Sequence, residues 1–153
     1  MVMSVNDSDQ TFKSFGRQFQ ERIMEALLSD FAWAQQMVEV MKSSYFDVEF
    51  LRYLFDVYTR YHAKYKTFPS LGLLATMSSE ELKSSNDEIM CQQVIMFLQS
   101  IKTGKHANDL PYVKDRSLNF CKNQALKSAL ETAVDLTKEE RYEEIVGKIK
   151  EAI

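Results

Sequence analysis

Histidines, cysteines and paired carboxylates are the side chains that act as metal ligands, nucleophiles or proton carriers. This sequence spaces them poorly for any such task. His62 and His106 are its two histidines; Thr59 stands three residues before the first and Thr103 three before the second. The Glu-x-x-His pair of a di-iron bundle is therefore absent, and a zinc site would need an unusual ligand set. Cys91 and Cys121 have no Cys-x-x-Cys neighbour and read as free buried thiols in a reducing compartment. Glycines at 16, 72, 104 and 147 form neither a dinucleotide fingerprint nor a G-x-x-x-x-G-K-[ST] loop; the Gly-Lys pairs, Gly104-Lys105 and Gly147-Lys148, lie outside any glycine-rich stretch. Glu80-Glu81, Glu139-Glu140 and Glu143-Glu144 read as solvated helix faces. The expectation is a chain without a catalytic site, cofactor or metal.

One run mixes bases with rings, Tyr58-Thr59-Arg60-Tyr61-His62-Ala63-Lys64-Tyr65-Lys66. Such a run can stack single-stranded bases, but its tyrosines recur at helical spacing, which makes core packing the stronger reading. Arg60, Lys64 and Lys66 are kept as a weak nucleic-acid contact. With 19 Lys+Arg against 22 Asp+Glu, net −3, the chain lacks the electrostatic footprint of a duplex-binding protein. Weak or no direct DNA binding is expected.

The elements that carry these residues are helices. Four Gly and two Pro in 153 residues are too few for the many turns of sandwiches, barrels or α/β folds. Hydrophobic residues at 45% and charged residues at 27% describe a globular domain. No apolar run approaches the ~20 residues of a membrane span, and Met1 to Asp7 lacks a signal peptide's pattern; no membrane association and a cytoplasmic location are expected. The fold class is all-α: a compact helical bundle, then a long helical hairpin, then a C-terminal linker helix.

After a flexible tail over 1–10, the bundle occupies 11–86. Phe12, Phe15, Phe19, Ile23 and Leu27 mark its first helix, and Asp30 caps a second. Asp47 caps a third, rich in aromatic residues, which Phe68-Pro69 must stop. Leu71 to Met77 is a short fourth helix, followed by a loop or solvated turn from Ser78 to Asn86. The hairpin spans 87–138. Its first arm carries Leu98 and Ile101 and ends at Gly104; Lys105 to Asn108 connect the arms, with His106 solvated. Asp109-Leu110-Pro111 starts the second arm, where Leu118, Cys121, Ala125, Ala129 and Ala133 step by three or four, with Leu126 and Leu130 beside them. These residues are expected to form a self-association surface, because a projecting hairpin cannot bury both of its apolar stripes alone. Residues 139–153 form the linker helix, with Tyr142, Ile145, Val146 and Ile149 on its docking face.

The order of several of these segments resembles the N-terminal domain of DnaB-type replicative DNA helicases, particularly the phage-encoded branch. The segments are Phe12 to Leu28 with Asp30-Phe31, Tyr45-Phe46-Asp47, and the Leu51 to Tyr65 helix closed by Phe68-Pro69-Ser70. In the second half they are Leu110-Pro111-Tyr112-Val113-Lys114, Phe120-Cys121-Lys122-Asn123-Gln124-Ala125-Leu126 and Tyr142-Glu143-Glu144-Ile145. Individually these are weak packing motifs; their shared order, over about residues 12–153, carries the resemblance. It implies a helical collar domain that forms a homo-oligomer, a dimer or, at full length, a hexamer, and that contacts primase and the helicase loader. The linker helix would dock on a neighbouring motor domain. The motor itself, with its ATP and magnesium, is absent from these 153 residues, which implies an excised domain or a truncated product. From another class, the alternative is a free-standing helical adaptor or regulator of a replication or transcription protein.

Overall fold

The computed structural model describes residues 10–104, 109–138 and 141–153. The expected tail up to residue 9, the connector Lys105–Asn108 with His106, and the Glu139-Glu140 pair lie outside the described residues. Within them the chain is all-α, as its composition requires. A 3-10 turn, Phe12–Phe15, precedes α1 (Arg17–Ser29) and α2 (Phe31–Val40); a second, Ser43–Tyr45, precedes α3 (Glu49–Tyr65). Then come α4 (Leu71–Ser84), α5 (Glu88–Lys102), α6 (Leu110–Lys138) and α7 (Tyr142–Ala152). No strand occurs among the described residues, and no helix there is long and apolar enough to cross a membrane.

The helices start where short polar side chains can receive unpaired backbone N–H groups. Asp30 accepts from Trp33 N at 3.0 Å, Ser70 from Leu73 N at 3.2 Å and Asp87 from Met90 N at 3.1 Å. The start of α3 departs from expectation: Asp47 is not its cap, because the helix opens at Glu49 behind Val48, which has no side-chain cap bond. Gln20, buried on α1, does that work from a distance. Its Oε1 accepts from Asp47 N (2.8 Å) and Val48 N (3.2 Å). Its Nε2 donates to Phe12 O and Gly16 O, both at 3.3 Å. One amide thus ties the first 3-10 turn, α1 and the start of α3 together.

Around this tie the aromatic residues of α3 turn inward. Leu51, Leu54, Phe55 and Tyr58 bury against a core that includes Ile23, Met24 and Leu27 of α1. The Tyr58 hydroxyl donates to Leu27 O at 2.7 Å. Phe68 lies over the end of α3, its ring 5.1 Å from Tyr58, 4.3 Å from His62 and 5.9 Å from Phe31. The basic-aromatic run thus packs at its start, where Tyr58 is buried and Tyr61 and His62 are half-buried, and faces solvent from Ala63 to Lys66, with Tyr65 55% exposed.

Two boundaries shift. The Ser78–Asn86 stretch is mostly helix, not loop: α4 continues to Ser84, because Leu82 extends the buried row begun by Leu74 and Ser78, and no Gly or Pro interrupts it. The longer α4 then becomes the main packing partner of α5, with Asn86 at φ 60° in the turn between them. The first arm of the expected 87–138 hairpin thus belongs to the bundle. The chain divides into two compact units at Lys114/Asp115, inside α6, rather than at Asn86/Asp87.

The first turns of α6 are rooted in the first unit by charge and by a ring contact. Lys114 Nζ lies 2.7 Å from Asp30 Oδ2. The buried Arg22–Glu25 pair (3.4 Å) has Asp109 at 4.0 Å from Arg22, and Tyr112 meets Phe19 edge-on at 6.5 Å. The Lys114 ammonium, and then Trp33 N, hold the Asp30 carboxyl below its usual range. A depressed folded value means stability that is present above the unfolded value of ~3.9 and lost as pH falls through the folded one. Because both groups are partly solvated, the pair contributes less than ~1 kcal/mol. D30N retains the cap but not the charge. It is therefore expected to cost a few tenths of a kcal/mol at pH 7, and nothing relative to wild type once the pH falls well below 4, as read from urea midpoints across that range.

Candidate assembly surface

The second unit consists of α6 from Asp115 onward and α7. Three apolar residues spaced by four, Leu126, Leu130 and Val134, form one exposed ridge of α6. Asn123, Lys127 and Glu131 run parallel to them along one side of a shallow groove of about 340 Å³. Leu130 and Val134 are each more than half exposed, at 51% and 57%. Three such side chains in line, beside an apolar row of the same helix that is already buried, mark a surface that covering would stabilise.

The expected self-association residues separate into three sets. Leu98 is buried in the first unit, where the adjacent Phe97 packs on Phe50 at 5.6 Å, and Ile101 is half-buried. Cys121, Ala129 and Ala133 are buried, while Leu118 and Ala125 are half-buried, so the small-residue stripe is already covered. Burial pushes the Cys121 thiol up to about 12, which leaves it protonated and inert at neutral pH. Leu126 and Leu130 alone among the expected residues are exposed, and the structure adds Val134 to them. Val134 sits four residues beyond Leu130, so the same periodicity could have found it. Its neighbour Ala133 follows the same rhythm one position away, and the two rows cannot be told apart by spacing alone. On α7 no residue is buried; Tyr142 and Val146 are exposed, Ile145 and Ile149 half-buried.

Arg60, Lys64 and Lys66 are all exposed at the end of α3. Arg60 grips both oxygens of Glu81 (2.9 and 3.3 Å) and also Asp56 (3.0 Å). The Arg60–Glu81 hydrogen bonds, and then the attraction of the paired charges, hold Glu81 below its usual range and raise Arg60. A phosphate would have to displace two carboxylates there. Lys64 lies over the Tyr65 ring at 5.3 Å, and Lys66 ends the helix in a left-handed conformation. Among the described residues no three His, Cys, Asp or Glu side chains converge as a metal site.

Compared with protein-family models, curated proteins and solved structures, the chain matches none of them.

Proposed function

We propose that the chain is a non-catalytic assembly and docking domain of a hexameric replicative DNA helicase. In this reading the exposed ridge of α6 pairs copies of the chain, the bundle contacts primase and the helicase loader, and α7 leads toward an ATP-dependent motor. The order of the segments from Phe12 to Ile145 supports it. The observation that carries the assembly role is the Leu126–Leu130–Val134 ridge with its neighbouring charges. When two such helices pair antiparallel about a two-fold axis, like flanks meet. Lys127 of each copy then comes within reach of Glu131 of the other. A surface that complements itself in both shape and charge fits a second copy of the same chain.

The test is the genomic reading frame past the Ile153 codon. Continuation into a G-x-x-x-x-G-K-[ST] motif is the expected result. A stop codon at that point in the native gene would overturn the helicase reading and favour the free-standing adaptor.

A further inference from the structure

Two hollows on the surface of the α4–α5 pair meet at Ile95. The larger, about 840 Å³, is lined by Lys83, Asn86, Glu88, Cys91 and Met96. The smaller, about 380 Å³, is lined by Leu71, Gly72, Ala75, Leu98 and Lys102. Met96 is 70% exposed on this face, and Ile89, on the same helix, is 76% exposed. A lysine stands at each end, and among the described residues neither Lys83 nor Lys102 has an ion-pair partner. The result is an open groove along the 15 residues of α5, about 22 Å long, with Lys102 at one end and Lys83 beside Glu88 at the other.

The same chain carries a helix of matching shape. At 11 residues α7 is about 16 Å long and buries none of them. Tyr142, Ile145, Val146 and Ile149 share one face, with Glu143 and Glu144 in the first turn and, at the other end, Lys150 and Glu151, the latter loosely paired with Lys148 at 3.8 Å. An apolar stripe with carboxylates at one end and mixed charges at the other suits a groove with Lys102 at one end and the opposite charges of Lys83 and Glu88 at the other. Seating such a helix is a recurrent mode of recognition.

We propose that this groove receives α7 of a second copy of the chain, antiparallel to α5, with Glu143 toward Lys102 and Glu151 toward Lys83. Reciprocal seating, each α7 in the other copy's groove, doubles the buried area toward the ~1,200–2,000 Å² of stable interfaces and closes the pair with two-fold symmetry. This docking stands on α4, α5 and α7 alone and does not require the helicase reading.

Two tagged chains of different mass test it, both carrying L130E to remove pairing through α6, and both C121S. One, the helix donor, carries I149C and C91S; the other keeps Cys91 in the groove and Ile149. Mild oxidation of the mixture at about 100 μM is expected to give a mixed disulfide on a non-reducing gel. M96E or I89E in the groove chain should reduce that product at least tenfold. Both positions are exposed, and circular dichroism checks the fold. As a second measurement, a labelled peptide of residues 141–153 should bind wild type by fluorescence anisotropy and bind M96E at least tenfold more weakly. Absence of both the mixed disulfide and peptide binding overturns the proposal. So does an I149C chain retaining Cys91 that closes only an internal bond, since the occupant is then its own helix.

Discussion

Gln20→Leu is expected to destabilise the first unit by about 2–4 kcal/mol, although leucine is close to glutamine in size and the site is 1% exposed. Burial alone would favour the apolar residue. Hydrogen bonding decides otherwise. The substitution strips the acceptor from Asp47 N and Val48 N at the unsupported start of α3, and the donor from Phe12 O and Gly16 O. Each buried polar group left without a partner costs ~1–3 kcal/mol, and partly buried ones fall at the lower end. Urea unfolding followed by circular dichroism measures the loss. A decrease below about 0.5 kcal/mol would show that the turn at Asp47 has other support. Gln20→Glu supplies the comparison: it keeps an acceptor for the two N–H groups but sets a buried carboxylate against the Phe12 and Gly16 carbonyls, so at pH 7 it should cost at least as much as Gln20→Leu.

That residue also shows where legibility in the sequence ends. Most of the described helices are visible as a three-to-four-residue rhythm of apolar side chains, although Gly16 at φ 88° splits Phe12–Phe15 off the expected first helix as a 3-10 turn; the caps at Asp30 and Asp87 follow from residue type alone. Gln20 stands in the same rhythm, three before Ile23 and seven before Leu27, and a polar residue on an apolar stripe is a sign that something must satisfy it. The partner is 27 residues away, and no local pattern names it. The same limit governs α5. Its stripe announces a buried face but not what covers it, and the α4 surface that does so depends on a helix extending through Ser78–Ser84, where the polar composition suggested a loop. Arg60 divides in the same way. Its bond to Asp56 is an i,i+4 pair that sequence can suggest, whereas the bidentate grip on Glu81 spans 21 residues and changes what the basic cluster can offer a phosphate. On α6, length and amphipathic character were legible. Which of two adjacent rows faces outward was not, because alanine suits a buried stripe and a close helix–helix contact equally well.

The orientation of α6 decides how self-association should be tested. Ala129→Glu places a charge at a position only 9% exposed, so any loss of assembly would be confounded with damage to the chain's own packing. Leu130→Glu changes the exposed row instead. With M96E present throughout to close the α5 groove, the parent chain is expected to be a dimer or larger at tens of micromolar, and L130E a monomer with the same helical content, by light scattering and circular dichroism. Burying one leucine contributes ~1.5–3 kcal/mol, and in a two-fold pair each copy contributes one. The dissociation constant should therefore rise at least about 100-fold. Charge supplies the orientation. K127E places like charges opposite one another and should weaken an antiparallel pair, while K127E/E131K exchanges the two signs on both copies and should restore it, with all of these differences shrinking in high salt. A parent chain that stays monomeric at tens of micromolar removes the ridge as a self-association surface. A double exchange that fails to recover what K127E loses removes the antiparallel arrangement while leaving pairing through the leucines intact.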